Sequence, residues 1–150
     1  MNDPHLLTDI RLVLREHQLR PVYGVDSERG DLALESGRAN LGQAAVMRLL
    51  TPRGELAALG HPEYGSRLHE LIGAPNSATK RNLAKLHILE ALAAEPRIES
   101  IEDVTVEEVE DASAEKDVRK RGRVEATVTV KAVGDAGVVT IGPFRLERAP

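Results

Sequence analysis

The sequence has no cysteine and no tryptophan, and aromatic residues make up only 2% of its 150 residues. Without cysteine, a disulfide framework, a thiolate metal site and a cysteine nucleophile are all excluded. The shortage of aromatic residues removes the stacking platforms on which many proteins bind single-stranded nucleic acid. A core built from Leu, Val, Ile and Ala is therefore expected.

The chain also lacks an excess of positive charge and a long apolar run. A formal net charge of -4 gives no general attraction to nucleic acid or to an anionic membrane. No apolar run approaches the roughly 18 to 20 residues that span a bilayer. The start at Asn2-Asp3-Pro4 does not resemble a signal peptide, so we expect a cytoplasmic protein. With 41% hydrophobic and 29% charged residues, the length predicts one soluble domain over residues 1–150.

The first half of the chain carries helical patterns. Residues 6–19 predict an amphipathic helix, because apolar residues recur there at three- and four-residue spacing. These residues are Leu6, Ile10, Val13 and Leu14. The apolar run at residues 32–34 fits a strand and a loop equally well. Asn40 and Gln43 have the spacing of a capping box, which predicts a helix over residues 41–50 that ends at Thr51-Pro52.

A second helical region follows a loop rich in glycine and proline. Ser66 is expected to cap a short helix that ends at Gly73. Pro75-Asn76-Ser77 then opens the longest periodic segment, and Pro96 ends it. Its predicted apolar stripe consists of Leu83, Leu86, Ile88, Leu89, Leu92 and Ala93.

After Pro96 the apolar period changes from 3.6 to 2. The clearest alternation runs through Val124, Ala126, Val128 and Val130. A further strand is expected after the turn at residues 134–137, so the C-terminal strands are predicted at about residues 124–141. The charged residues 107–123 predict a long hairpin loop. The expected fold class is α+β, with the N-terminal and central helices packed on one face of a small antiparallel C-terminal sheet.

No pattern in the sequence indicates catalysis, a metal or a cofactor. The five histidines lack the converging spacing of a zinc site, and the sequence contains neither a phosphate-binding loop nor a nucleophile elbow. With 24 acidic residues, pairs of carboxylates arise by chance. The basic cluster Arg119-Lys120-Arg121 is offset by nearby acids, which favours a solvated turn.

One local feature, Glu95-Pro96-Arg97, allows two interpretations. The simpler is a helix stop with two charges facing solvent, since charges at such junctions are common on protein surfaces. The other is a binding site, because an arginine beside a rigid proline can bind a carboxylate with fixed geometry.

Several segments together resemble the gene-25-like baseplate family of contractile phage tails and contractile injection systems, including type VI secretion. The matching core covers about residues 31–106 and is weaker in the last strands. It comprises residues 37–44, 49–55 and 62–68, the long helix, and Glu95-Pro96-Arg97-Ile98.

The resemblance implies a structural component, not an enzyme, present in six copies and assembled into a tail-like particle. Its implied partners are baseplate wedge proteins, the first sheath ring, and tube or hub neighbours. It would initiate assembly of that sheath ring. The resemblance implies no binding of nucleic acid and no membrane insertion. The family associates the motif Glu95, Pro96 and Arg97 with docking to the wedge. The C-terminal strands resemble a strand-exchange region, which assigns the sheath-contacting edge to Val138, Val139, Thr140 and Ile141.

A rival interpretation comes from the lysozyme-like label that family members often carry. A cell-wall hydrolase of this kind needs two carboxylates placed across a cleft, and the sequence does not single out such a pair. The acidic net charge also gives no attraction to an anionic cell wall.

Overall fold

A computed structural model describes residues 6–14, 23–25, 27–28, 31–109 and 123–146 of the chain. In these residues the strands are β1 (Thr8–Ile10), β2 (Leu12–Leu14), β3 (Tyr23–Val25), β4 (Ser27–Glu28), β5 (Asp31–Leu32), β6 (Leu34–Ser36), β7 (Ile98–Val109), β8 (Arg123–Ala132) and β9 (Val138–Arg145). The α-helices are α1 (Gly37–Leu50) and α2 (Ala78–Ala93), with two short 3₁₀ helices, Ala57–Leu59 and Leu68–Leu71, between them.

The last three strands form an antiparallel sheet in the order β7-β8-β9. Val130 lies opposite Ile101 of β7 on one side and opposite Val139 of β9 on the other. The predicted alternation on the central strand is confirmed, because Val124, Ala126, Val128 and Val130 are all buried. The charged segment predicted as a hairpin loop falls mostly on residues 110–122, outside the described residues, although β7 already continues through Val109.

Both helices pack on the apolar face of this sheet and share one core with it. The core joins Leu41, Ala45 and Leu49 of α1, Ile88 and Leu92 of α2, and Val128, Val130, Ile141 and Phe144 of the sheet. α2 begins just after Pro75-Asn76-Ser77, as predicted, and Ser77 caps it, its hydroxyl accepting a hydrogen bond from Lys80 N at 3.1 Å. The α+β class is thus confirmed.

The helix expected over residues 6–19 is wrong where the structure describes it. Residues 8–10 and 12–14 are strands, and residues 15–19 lie outside the described residues. Thr8 pairs with Ser36 and Ile10 with Leu34, so the backbone of β1 is bonded to β6. Helical spacing of apolar residues favours a helix only weakly, and here the pairing of β1 with the distant strand β6 overrides it. The ambiguous run at residues 32–34 is resolved as two strands separated by Ala33.

Three helical details also differ from the prediction. α1 starts at Gly37 and not at residue 41, so Asn40 is not its cap. The segment after Ser66 forms a 3₁₀ helix, with Gly73 in the left-handed region at φ 84°. On α2, Leu83, Leu86 and Leu89 are 40–48% exposed, because the helix buries the side that carries Ala84, His87, Ile88, Ala91 and Leu92.

Neither of the two helices in the described part of the chain is long and apolar enough to cross a membrane.

Candidate docking site at the helix-strand junction

The turn between α2 and β7 places the side chain of Glu95 inside the molecule. Glu95 N donates to Leu92 O at 3.0 Å, and Ile98 N donates to Glu95 O at 3.1 Å, so the backbone turns tightly around Pro96. Proline suits this position because it has no amide donor to satisfy. The Glu95 residue is only 5% exposed.

Two arginines face the Glu95 carboxylate. Arg97 Nε donates to Oε1 at 2.6 Å and Arg97 N donates to the same oxygen at 3.4 Å. Arg48 Nη2 donates to Oε2 at 3.4 Å. The side chains of Arg48 and Arg97 are 12% and 18% exposed. The interpretation of two solvent-facing charges is therefore wrong: the charges of the motif turn inward and bind each other.

The electrostatics keep this carboxylate ionised. Burial acts to raise the pKa of Glu95, but the hydrogen bonds and charge of Arg97, with the charge of Arg48, outweigh it and hold the pKa below its ordinary value. A carboxyl that stays ionised at neutral pH does not serve as a general acid. The cluster is suited to binding and not to proton transfer.

Sequence reasoning missed Arg48, which lies 47 positions before Glu95 on the last turn of α1. Its guanidinium carbon lies 4.5 Å from the centre of the Tyr64 ring, a cation-π contact. Burial raises the pKa of Tyr64, so its phenol stays neutral at physiological pH. Tyr64 belonged to a segment that carried the family resemblance, but no spacing in the sequence connected Arg48 to the motif.

The loop that carries Tyr64 is fixed to the end of α1 by backbone contacts. Ser66 N donates to Thr51 O, and Arg53 N donates to Ser66 O, each at 2.9 Å. Gly65 has φ 107°, and a Cβ there would collide with Thr51 O. Glycine therefore permits this close approach.

Two amides of α1 hold the beginning of the chain beside the cluster. Asn40 Nδ2 donates to Leu6 O at 3.0 Å, and Gln43 Nε2 donates to Ile10 O at 2.9 Å. Gln43 Oε1 accepts from Leu12 N at 2.8 Å. The two residues expected to form a capping box thus bind residues 6–12, which we call the N-terminal segment.

A groove of about 680 Å³ separates the N-terminal segment from the charged cluster. It is lined by residues 7–10 and Leu12, by α1 side chains from Asn40 to Arg48, and by Tyr64 and residues 95–97. We call it the junction groove. In the described parts of the chain, no group of three His, Asp or Glu side chains is placed to hold a metal ion.

The other predicted site lies on β9. In the described residues β9 pairs with β8 alone, so one edge of the sheet ends at this strand. Val139 and Ile141 face the core, whereas Val138 and Thr140 are exposed. The structure does not join this edge to the motif, since β7, which follows Arg97, lies at the opposite edge of the sheet.

Comparison with protein families gives a match to the family described as baseplate wedge protein gp25, over residues 6–133. The chain belongs to this family. A search of curated proteins gave no match. The family match includes the N-terminal segment, Arg48 and the motif at residues 95–97, so it covers the whole junction groove and extends beyond the core predicted at residues 31–106. It ends before β9.

Membership in the baseplate wedge family gives the chain a structural part in a baseplate and makes baseplate proteins its partners.

Proposed function

We propose that this chain joins the baseplate wedges to the first sheath ring and initiates sheath assembly. The family match supports the baseplate part of this function. The buried charge cluster around Glu95 is the observation that carries the docking part, because a charge network of this kind at a surface groove is suited to recognition. Six copies would form the ring, in contact with sheath and with tube or hub neighbours, in a particle assembled in the cytoplasm.

The wedge-docking end is assigned to Glu95, Pro96 and Arg97. The proline fixes the turn, Glu95 orients the arginines, and the partly exposed Arg97 presents its guanidinium beside the groove. A planar guanidinium held in this way keeps its direction at low entropic cost. The junction thereby offers a rigid, charged contact to a wedge protein.

The sheath-contacting end is assigned to residues Val138, Val139, Thr140 and Ile141 of β9. An edge strand has backbone donors and acceptors that a strand of another protein can pair with. The exposed side chains of Val138 and Thr140 would set the register of such a strand. The two ends of the molecule would then bind different partners.

The docking assignment is tested by Arg97→Ala in a pull-down with purified baseplate wedge proteins. We expect a folded variant that binds the wedge about 2 to 5 kcal/mol more weakly, the range measured when one partner of a desolvated charge pair is removed. Its stability should also fall by about 1 to 3 kcal/mol, because Glu95 loses its shorter hydrogen bond.

The matched control is Arg67→Ala, which removes an arginine that is ion-paired with Glu70 far from the motif in sequence. It should bind as the wild type does. The binding assay is run well below both melting temperatures, so that unfolding does not contribute. Wild-type affinity in Arg97→Ala would refute the docking role of the motif.

A further inference from the structure

Arg48 and Arg97 do not hold Glu95 equally. Arg97 Nε is 2.6 Å from the carboxylate, a short charge-assisted bond, whereas the contact from Arg48 Nη2 is 3.4 Å. Arg48 Nε is buried and has no hydrogen-bond partner in the described parts of the chain. A buried N–H donor without a partner is uncommon in folded proteins. Arg48 thus retains binding capacity that the fold of the isolated chain does not use.

The charges around the junction groove leave a local positive excess next to Arg48. Two guanidiniums share the single carboxylate of Glu95, and the Tyr64 phenol is neutral. The other acid in the lining, Asp9, is exposed and already accepts a hydrogen bond from Ile10 N at 2.7 Å. Screening by solvent weakens the effect of an exposed carboxylate on the cluster.

The remaining lining of the groove is largely apolar. Leu7, Ile10 and Leu12 contribute from the N-terminal segment, and Ala44 and Met47 contribute from α1. Leu7 and Ile10 are exposed large hydrophobic residues, at 60% and 38%. Methionine adapts its shape to different apolar partners. The groove thus offers an apolar surface next to a donor that lacks an acceptor.

We propose that the junction groove receives an acidic side chain with an apolar neighbour from the wedge partner, and that Arg48 is the guanidinium that binds the acid. This inference rests on the proposed docking function and identifies what the partner must present. Arg97 stays bound to Glu95 and positions it. Arg48 gives up its long contact with Glu95 and presents Nε and Nη to the incoming carboxylate, the geometry of a bidentate pair. The apolar neighbour packs against Ile10 and Met47.

The first test measures the affinity of the full chain for the purified wedge proteins after Arg48→Gln. We expect affinity to fall by about 10- to 100-fold, because a desolvated charge pair loses one partner. Glu95 keeps its bond to Arg97, so the variant should fold. Arg67→Gln is the matched control, since Arg67 also pairs with a glutamate but lies outside the groove, and its affinity should not change. Equal affinity of Arg48→Gln and the wild type would overturn the proposal.

The second test avoids the buried cluster and changes only an exposed residue of the lining. Ile10→Glu and Ile10→Lys remove the same apolar side chain but add opposite charges. An acidic partner predicts that Ile10→Glu binds the wedge at least about tenfold more weakly than Ile10→Lys at low salt, with the difference reduced at high salt. Equal affinities, or the reverse order, would show that the groove does not select an acid.

The two tests also separate this inference from the proposed function. If the wild-type chain does not bind the wedge proteins, the docking function fails and the inference fails with it. If the wild type binds, but Arg48→Gln binds as tightly as the wild type or Ile10→Glu binds as tightly as Ile10→Lys, the docking function stands and the proposed binding of an acid by Arg48 is wrong.

Discussion

Glu95 is only 5% exposed, and two arginines compensate the negative charge of its buried carboxylate. An isolated buried charge is costly, so removal of either arginine changes the environment of the other two groups. The pKa of Glu95 records this balance. Burial raises it, and the two guanidiniums, Arg97 above all, lower it further than burial raises it.

The depressed pKa leads to a pH dependence that Glu95→Gln removes. A carboxyl whose folded-state pKa lies below its unfolded value stabilises the protein at higher pH, and this contribution is lost as the pH falls through the folded-state pKa. We expect the wild type to melt above Glu95→Gln at neutral pH, and the difference to shrink below pH 4.5, the ordinary value for this group.

Thermal melts of both proteins across this range provide the measurement. Glu70 and Asp135, whose pKa values are also lowered, by Arg67 and Arg38 respectively, are present in both proteins and cancel in the difference. A melting difference that stays constant down to pH 3 would contradict the assigned ion pairs.

The site was predictable from the sequence only in part. Glu95, Pro96 and Arg97 are adjacent in the chain, so their conjunction can be noticed without a structure. Arg48 joins them only because α1 and α2 pack on the same sheet, and no local pattern encodes that contact. The burial of the Glu95 side chain and the partial burial of Arg97 could not be predicted either, because a charged residue at a helix end is exposed more often than not.

At the scale of elements, the three-residue spacing of Asn40 and Gln43 is compatible both with a helix cap and with two side chains inside a helix. Three positions apart, both side chains project from the same side of a helix, whether or not they cap it. Here the helix begins earlier, at Gly37, and both amides bind the N-terminal segment. The capping interpretation failed because β6 and Gly37 start the helix one turn sooner.

Gln43→Ala tests whether this amide holds the N-terminal segment. The change removes the hydrogen bonds to Ile10 O and Leu12 N, each worth about 0.5 to 1.5 kcal/mol. We expect faster hydrogen exchange at the Leu12 amide, with unchanged exchange in β8. Asn82→Ala, which removes an exposed amide on α2, is the control and should exchange like the wild type. Unaltered protection of Leu12 would argue against the role of Gln43.

The edge of β9 is tested with proline, which removes a backbone donor without adding charge. Amides along a strand alternate between its two edges, so either Val138 and Thr140 or Val139 and Ile141 direct theirs away from β8. Proline variants that keep the wild-type melting temperature should fail to nucleate sheath polymerisation. Alanine keeps the backbone donor and loses only the side chain that would set the register, so Val138→Ala and Thr140→Ala should still nucleate sheath, less efficiently than the wild type. Normal nucleation by every stable proline variant would mean that the sheath binds elsewhere.

At the scale of the whole molecule, the antiparallel sheet and the long helix were the predictable part. Alternation on β8 and the opening of the helix at Pro75-Asn76-Ser77 are local signals, and each agrees with the global packing. The structure of β1 was not predictable, because its residues pair with partners 24 to 28 positions away, from Leu34 for Ile10 to Ser36 for Thr8. Which face of α2 is buried also depends on the sheet, which explains the exposed Leu83, Leu86 and Leu89.

The structural role predicts that the purified protein will not lyse bacterial cell walls in a turbidity assay. The buried carboxylate at the groove, Glu95, is paired with arginines and stays ionised, so it lacks the raised pKa that a glycosidase acid requires. A lysozyme of known activity serves as the positive control. Lysis that disappears when a single carboxylate is replaced, with the fold intact, would establish the rival hydrolase function.

The placement of β9 has a consequence for synthesis of the chain. α1 is synthesised early, yet Arg38 on its first turn pairs with Asp135, 97 positions later, and Phe144 and Leu146 complete the core that buries Leu41. At a synthesis rate of about 5 to 20 residues per second, roughly 5 to 20 seconds separate these parts. During that time the apolar side of α1 has no complete sheet to pack on. A chain that stops before Val138 lacks the strand on which α1 packs, so it should be retained by chaperones or degraded.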